Sequence, residues 1–115
     1  VEDVPDVFFE MMQDIVEHPE QNQSLSELSG KYHLHNTYIS NKFKSLFGIS
    51  PMRLHNEIVI EYIKNELLRN TEQSIAKLAN MLNFPDASAL THFFTSRVGC
   101  SPTEYRRRIS NGSQI

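Results

Sequence analysis

Tryptophan is absent from this chain, and cysteine occurs once, at Cys100. A single thiol excludes an intramolecular disulfide, which fits a reducing, cytoplasmic setting. No apolar run approaches the ~20 residues of a membrane span, and no secretory signal pattern opens the chain. No Gly-rich phosphate loop and no Ser/His/Asp arrangement is found, so nothing points to an enzyme. His33 and His35 stand two apart in a predicted turn, but no Cys or carboxylate completes a ligand set at metal spacing. No metal and no cofactor is expected. Glu57 and Glu61 stand four apart on a helix and read as a solvated pair. Cys100 reads as a packed thiol, because Ile49 holds the equivalent place in an internal repeat described below.

The missing tryptophan leaves seven Phe and four Tyr to supply the bulky packing in 115 residues. That length suits one domain, or two very small ones sharing a helix. The first residue is Val, which suggests a piece of a longer protein. Net charge is −3, a poor match for nucleic acid at first sight. The distribution reverses this impression. Residues 1–27 hold eight acids and neither Lys nor Arg, whereas residues 28–115 hold six acids and all eleven bases, a balance of +5.

Periodicity predicts helix almost throughout, with no convincing strand. Val4, Val7, Phe8, Met11, Met12, Ile15 and Val16 mark a first helix that should stop near His18, before Pro19. Ser24 and Glu27 form a capping box for a second helix to about His33. His35 or Asn36 caps a third, ending at Phe47 with Gly48 beyond it. Ser50-Pro51 opens a long fourth helix to about Arg69, through Leu54, Ile58, Ile60 or Glu61, Tyr62, Leu67 and Leu68. Asn70–Gln73 reads as a loop. Ser74 caps a fifth helix, Asn83-Phe84-Pro85 forms a turn, and Asp86 caps a sixth that ends at Gly99. Ser101-Pro102 opens a seventh, ending in Arg106-Arg107-Arg108, and the tail from Ser110 reads as frayed.

One phrase occurs twice. Residues 43–51 read F-K-S-L-F-G-I-S-P and residues 94–102 read F-T-S-R-V-G-C-S-P, a shared F-x-S-x-x-G-x-S-P displaced by 51 residues. Each copy closes a helix–turn–helix pattern. In the first, Ile39, Phe43 and Leu46 should face inward, leaving Thr37, Asn41 and Lys44 outward with Ser40 at the edge. In the second, Leu90 and Phe94 face inward with Phe93 beside them. Ser88, His92 and Thr95 then face outward, with Thr91 at the edge. The two outward sets coincide under the same displacement, and both are small, polar and free of acids.

This is the chemistry a helix needs in the DNA major groove. Asn can bond adenine in a bidentate way, Ser and Thr can bond either kind of base edge, and Lys can reach guanine or phosphate. Helix N-termini can hold phosphate through unpaired N–H groups. Asn36 at the start of the third helix and Arg97 in the last turn of the sixth join the candidate DNA-contacting set. A spacer helix of about eighteen residues at ~1.5 Å each spans roughly 27 Å, near the ~34 Å between successive major-groove segments on one side of a duplex. One monomer could then engage both, on a site that need not be palindromic.

These residues resemble the AraC/XylS family of bacterial transcription regulators, over about residues 5–108. The resemblance is strongest from Ser74-Ile75-Ala76-Lys77-Leu78-Ala79 through Leu82-Asn83-Phe84 and Phe94 to Gly99-Cys100-Ser101-Pro102-Thr103-Glu104-Tyr105-Arg106. The first repeat matches at Leu34, Tyr38-Ile39-Ser40, Phe43-Lys44 and Gly48-Ile49-Ser50-Pro51. It implies an all-α, homeodomain-like fold of seven helices, with two helix-turn-helix subdomains joined by a long linker helix. The implied boundaries are residues 1–20 for an N-terminal helix and junction to an upstream domain, 21–50 for the first helix-turn-helix, 51–70 for the linker, 71–109 for the second helix-turn-helix, and 110–115 for a tail. It places base contacts at Thr37, Ser40 and Asn41, and at Ala87, Ser88, Thr91 and His92. It also implies transcription activation through double-stranded DNA and RNA polymerase, and an upstream sensor or receiver domain. Ser29, Asn83, Leu90 and His92 depart from the family's common residues and bear on base preference. The alternative reading is a helical protein–protein interaction module in which the acidic first helix docks a partner.

Overall fold

The computed structural model describes residues 6–21, 23–69 and 73–110. Among these the chain forms seven helices and no strand: α1 (Asp6–Glu17), α2 (Leu25–Tyr32), α3 (Asn36–Phe47), α4 (Pro51–Arg69), α5 (Ile75–Met81), α6 (Ala87–Val98) and α7 (Pro102–Ser110). Val4, the stretch 70–72 and the tail 111–115, on which sequence expectations fell, lie outside the described residues.

The helix boundaries follow from local hydrogen bonding. A helix start leaves backbone N–H groups without partners inside the helix, and a side-chain oxygen can accept from one of them. Ser24 Oγ accepts from Glu27 N at 3.1 Å while Ser24 N donates to Glu27 Oε1 at 2.8 Å, the expected capping box. Ser74 Oγ accepts from Lys77 N at 3.1 Å, and Asp86 Oδ1 accepts from Ala89 N at 2.8 Å. For α3 the two candidates resolve to His35, whose Nδ1 accepts from Thr37 N at 3.2 Å.

The repeated G-x-S-P phrase is a stop-and-restart device. Gly48 (φ 78°) and Gly99 (φ 99°) end α3 and α6 in the left-handed region. Their N–H groups donate to Lys44 O at 2.7 Å and Thr95 O at 2.9 Å. Two residues on, Ser50 Oγ and Ser101 Oγ accept from Arg53 N (3.3 Å) and Glu104 N (3.1 Å). Pro51 and Pro102, both buried, occupy the first helical positions, where a missing N–H costs nothing. A Cβ built on Gly48 or Gly99 would meet nothing within 4 Å. The penalty for alanine is therefore purely conformational. We expect Gly99→Ala to destabilise by about 1–2 kcal/mol, measured by urea denaturation. An unchanged midpoint would mean that the left-handed cap is not held in solution.

The two repeats are not in one register. Ser24 and Ser74, Leu28 and Leu78, and His33 and Asn83 lie 50 residues apart, whereas His35 and Asp86, Ile39 and Leu90, and Phe43 and Phe94 lie 51 apart. The second turn thus carries one extra residue, Pro85. Both turns use a left-handed non-glycine residue, His33 (φ 58°) and Asn83 (φ 65°). Asn visits this region more readily than most non-glycine residues, whereas nothing in the sequence marks His33 for it. In the first turn Ser29 Oγ also donates to the Leu34 carbonyl, while Leu34 N donates back to Ser29 O at 3.2 Å. The second turn keeps only the backbone half of this exchange, from Phe84 N to Ala79 O at 2.9 Å.

The chain divides into two compact units, residues 1–58 and 59–115. The core of the first is Phe8, Met11, Leu28, Ile39 and Phe43, with Leu46, Met52 and Leu54 among the partly buried residues packed against it. The apolar stripe of α1 is therefore a wall of the first unit. Its acidic side stays in solvent, apart from Asp14, which pairs with Lys31 of α2 at 3.4 Å. Tyr32, and then Asp14, raise the Lys31 ammonium above its usual value, and burial pushes the Tyr32 phenol up.

The core of the second unit is Val59, Ile60, Ile63, Leu67, Leu78, Ala79, Leu82, Leu90, Phe94, Cys100 and Tyr105. Cys100 packs there as the apolar equivalent of Ile49. Because α4 contributes residues to both units, no single stripe runs its length. Val59, Ile60, Ile63 and Leu67 are buried, whereas Glu61 is exposed and Leu68, expected inward, is 43% exposed. His55 is buried too, and its Nε2 donates to Pro19 O at 3.0 Å, fixing the segment after α1. Arg106 is a second polar tie. It donates from Nε to Leu67 O at 3.2 Å and from Nη2 to Gln73 O at 3.1 Å, satisfying a carbonyl in the last turn of α4 that the helix itself leaves unpaired.

Candidate nucleic-acid interface

Each unit contains a short helix, a turn and a longer helix. In both, the longer helix is anchored by two fully buried side chains four residues apart, Ile39 and Phe43 in α3 and Leu90 and Phe94 in α6. An α-helix turns about 100° per residue, so burying those positions sends a defined set of side chains outward.

In α3 that set is Thr37, Asn41 and Lys44, all exposed, with Ser40 and Asn36 half-buried at its edge. In α6 it is Ser88, His92 and Thr95, all exposed, with Thr91 and Ala87 half-buried. Ten of the eleven residues singled out from the sequence therefore lie on the expected faces. The burial pattern repeats at a displacement of 51 residues except at two pairs, Tyr38 and Ala89, and Leu46 and Arg97. Neither face carries a carboxylate.

Arg97 is the exception. It stands nine residues from Ser88, roughly 180° around the helix. Its guanidinium carbon lies 4.1 Å from the centroid of the Phe93 ring. Nη1 donates to Phe93 O and to Ser96 Oγ, both at 3.3 Å. Phe93 in turn packs against Phe84 of the turn, with ring centroids 5.3 Å apart. The arginine is folded back on its own helix, away from the Ser88–His92–Thr95 face. We expect Lys44→Gln to weaken duplex binding about tenfold, because a phosphate or base contact is charged, and Arg97→Gln to weaken it less than threefold. Equal losses, measured by fluorescence anisotropy with a labelled duplex, would return Arg97 to the interface.

Other exposed arginines lie on α4 and α7. Arg53 is exposed and lies 3.6 Å from Glu57. Arg107 and Arg108 share Glu104 at 3.9 and 3.2 Å. Such exposed pairs are weak and leave the arginines able to exchange partners. Arg106, read from the sequence as part of the same basic end, instead serves the interior through Leu67 and Gln73. Among the described residues, no group of three or more His, Cys, Asp or Glu side chains is placed to hold a metal ion, and no helix is long and apolar enough to cross a membrane.

Comparison with known proteins agrees with this architecture. A helix-turn-helix domain model matches residues 28–108. The uncharacterised HTH-type transcriptional regulator YisR of Bacillus subtilis (strain 168) is 26% identical over 108 residues, covering 94% of this chain and 37% of that protein. Among solved structures, the C-terminal domain of AraT, a response regulator from Geobacillus stearothermophilus, superposes with a TM-score of 0.79 at 27% identity, covering 90% of this chain and 85% of that one. The C-terminal domain of the two-component response regulator yesN from Fusobacterium nucleatum gives a TM-score of 0.73 at 30% identity, covering 85% and 96%. The chain spans about a third of the length of the curated relatives it matches, at 37%, 31% and 29% for three of them. By the family model and these structures, the chain belongs to the AraC-type helix-turn-helix family.

Proposed function

We propose that this chain is a sequence-specific, double-stranded DNA-binding domain of a transcription regulator. In this reading α3 and α6 enter successive major-groove segments. The observation that carries it is the matched pair of outward faces, polar and acid-free, in two units that otherwise differ in charge. A protein-docking scaffold has no need to repeat that pattern position for position. Thr37, Ser40 and Asn41, and Ser88, Thr91 and His92, read base edges. Asn36, Lys44 and Thr95 hold the backbone beside them, and Ala87 offers a methyl to thymine.

Asn41 and His92 occupy the same place in the two helices, but Asn can make a bidentate bond to adenine that His cannot. The two half-elements should therefore differ in sequence. Asn41→Ala should change preference in one half-element only, by roughly tenfold at one base pair. Uniform loss across all duplexes in a binding-site panel would instead assign Asn41 to phosphate.

The wider reading extends to the longer protein of which the relatives' lengths speak. There the domain acts in the cytoplasm, with an upstream sensor or receiver domain joined near α1, RNA polymerase as a further partner, and activation as the outcome. No catalytic role belongs to this reading.

A further inference from the structure

Among the large apolar side chains of α3, Tyr38 alone is exposed, and it is not counted among the groove-facing residues. It is 46% exposed. Its ring is nevertheless held in place, because it meets the ring of Phe8 edge to face, with centroids 5.7 Å apart and planes at 75°. Phe8 is fully buried in the core of the first unit. The phenol therefore projects its hydroxyl into solvent from a fixed base, and little rotamer freedom remains to be lost on binding.

Its position decides what the hydroxyl can reach. Tyr38 follows Thr37 and stands roughly 100° further round the helix. It shares that flank with Ser45, seven residues on, and both are exposed. A helix in the major groove turns its central face to the base edges and its flanks to the phosphate walls. Tyr and Ser hydroxyls are common donors to phosphate oxygens. The equivalent positions of α6 are Ala89 and Ser96. Ala89 has no donor, and Ser96 Oγ already donates to Phe93 O at 3.0 Å and accepts from Arg97.

We propose that the Tyr38 hydroxyl donates a hydrogen bond to a DNA phosphate flanking the first recognition helix, a contact the second helix lacks. This rests on the DNA-binding reading above and goes beyond it, because it makes the two units unequal in grip as well as in sequence preference. The first unit anchors the backbone, and the second adds readout to a complex already held.

Tyr38→Phe tests this, because it keeps the ring against Phe8 and removes only the hydroxyl. The thermal unfolding midpoint should be unchanged. Affinity for a selected duplex should fall about three- to tenfold, by the same factor for duplexes varied one base pair at a time. Methylphosphonate replacements should then be scanned along both strands of the first half-element. One replacement should weaken the wild type and leave Tyr38→Phe unaffected. Wild-type affinity in Tyr38→Phe would overturn the proposal, as would a loss confined to one base pair, which would mean base readout. A wild type that binds no duplex above background would overturn the DNA-binding reading itself, an outcome distinct from both.

Discussion

Phe94→Ala is expected to cost about 3–5 kcal/mol. Phe94 is fully buried at the centre of the second unit, with Tyr105 edge to face at 5.7 Å and 74°. Removing the ring deletes that contact and opens a cavity in a core that also holds Leu78, Leu90 and Ile63, from three different helices. Interiors are packed too tightly for such a gap to close without strain. A unit of 57 residues (59–115) has only a few kcal/mol of net stability to lose, so the variant should leave the second unit largely unfolded at room temperature. Phe43→Ala should do the same to the first unit. Circular dichroism during urea titration measures both. A Phe94→Ala loss below about 1 kcal/mol would mean that the ring does not pack as described.

The second large effect concerns binding. If the domain grips duplex DNA, each neutralised phosphate releases condensed counterion, and log K falls with log salt at a slope of about −0.9 per contact. Lys42, Lys44, Arg53, Lys77, Arg107 and Arg108 are at least partly exposed. Four to six such contacts predict a loss of roughly a hundredfold to a thousandfold between 50 and 200 mM salt. The overall charge of −3 does not oppose this, because eight of the fourteen acids fall in residues 1–27 and the rest of the chain carries a balance of +5. A flat dependence would exclude backbone gripping. Anisotropy titrations at four salt concentrations suffice.

Helix limits and faces were legible in the sequence because they are set by short-range chemistry. Ser24, Ser74 and Asp86 cap where a side-chain oxygen stands three residues before an N–H. Gly48 and Gly99 stop where only glycine is comfortable. The outward sets of α3 and α6 followed from the placing of Ile39, Phe43, Leu90 and Phe94 alone. The repeated G-x-S-P phrase is stop-and-restart machinery and contains none of the proposed DNA-facing positions.

The less legible features depend on tertiary contacts. Nothing local marks His55 for burial, since its partner is the Pro19 carbonyl 36 residues away. Arg106 looks like its neighbours Arg107 and Arg108 until Leu67 and Gln73 are brought to it. The helix α4 defeats periodicity because its residues are divided between two cores, so Leu68 was placed inward and Val59 and Ile63 were missed. Arg97 is a different case, for nine residues of helix already turn it away from Ser88. Its guanidinium lies over the Phe93 ring of its own helix.

The most direct test of the central claim is selection of bound duplexes from a random library at moderate salt. The account predicts enrichment of a site of roughly 20 base pairs with two unequal half-elements about one helical turn apart, the first of them altered when Asn41 is replaced. Weak, unselective binding with no enriched sequence would contradict it and would favour a protein partner for this helical scaffold.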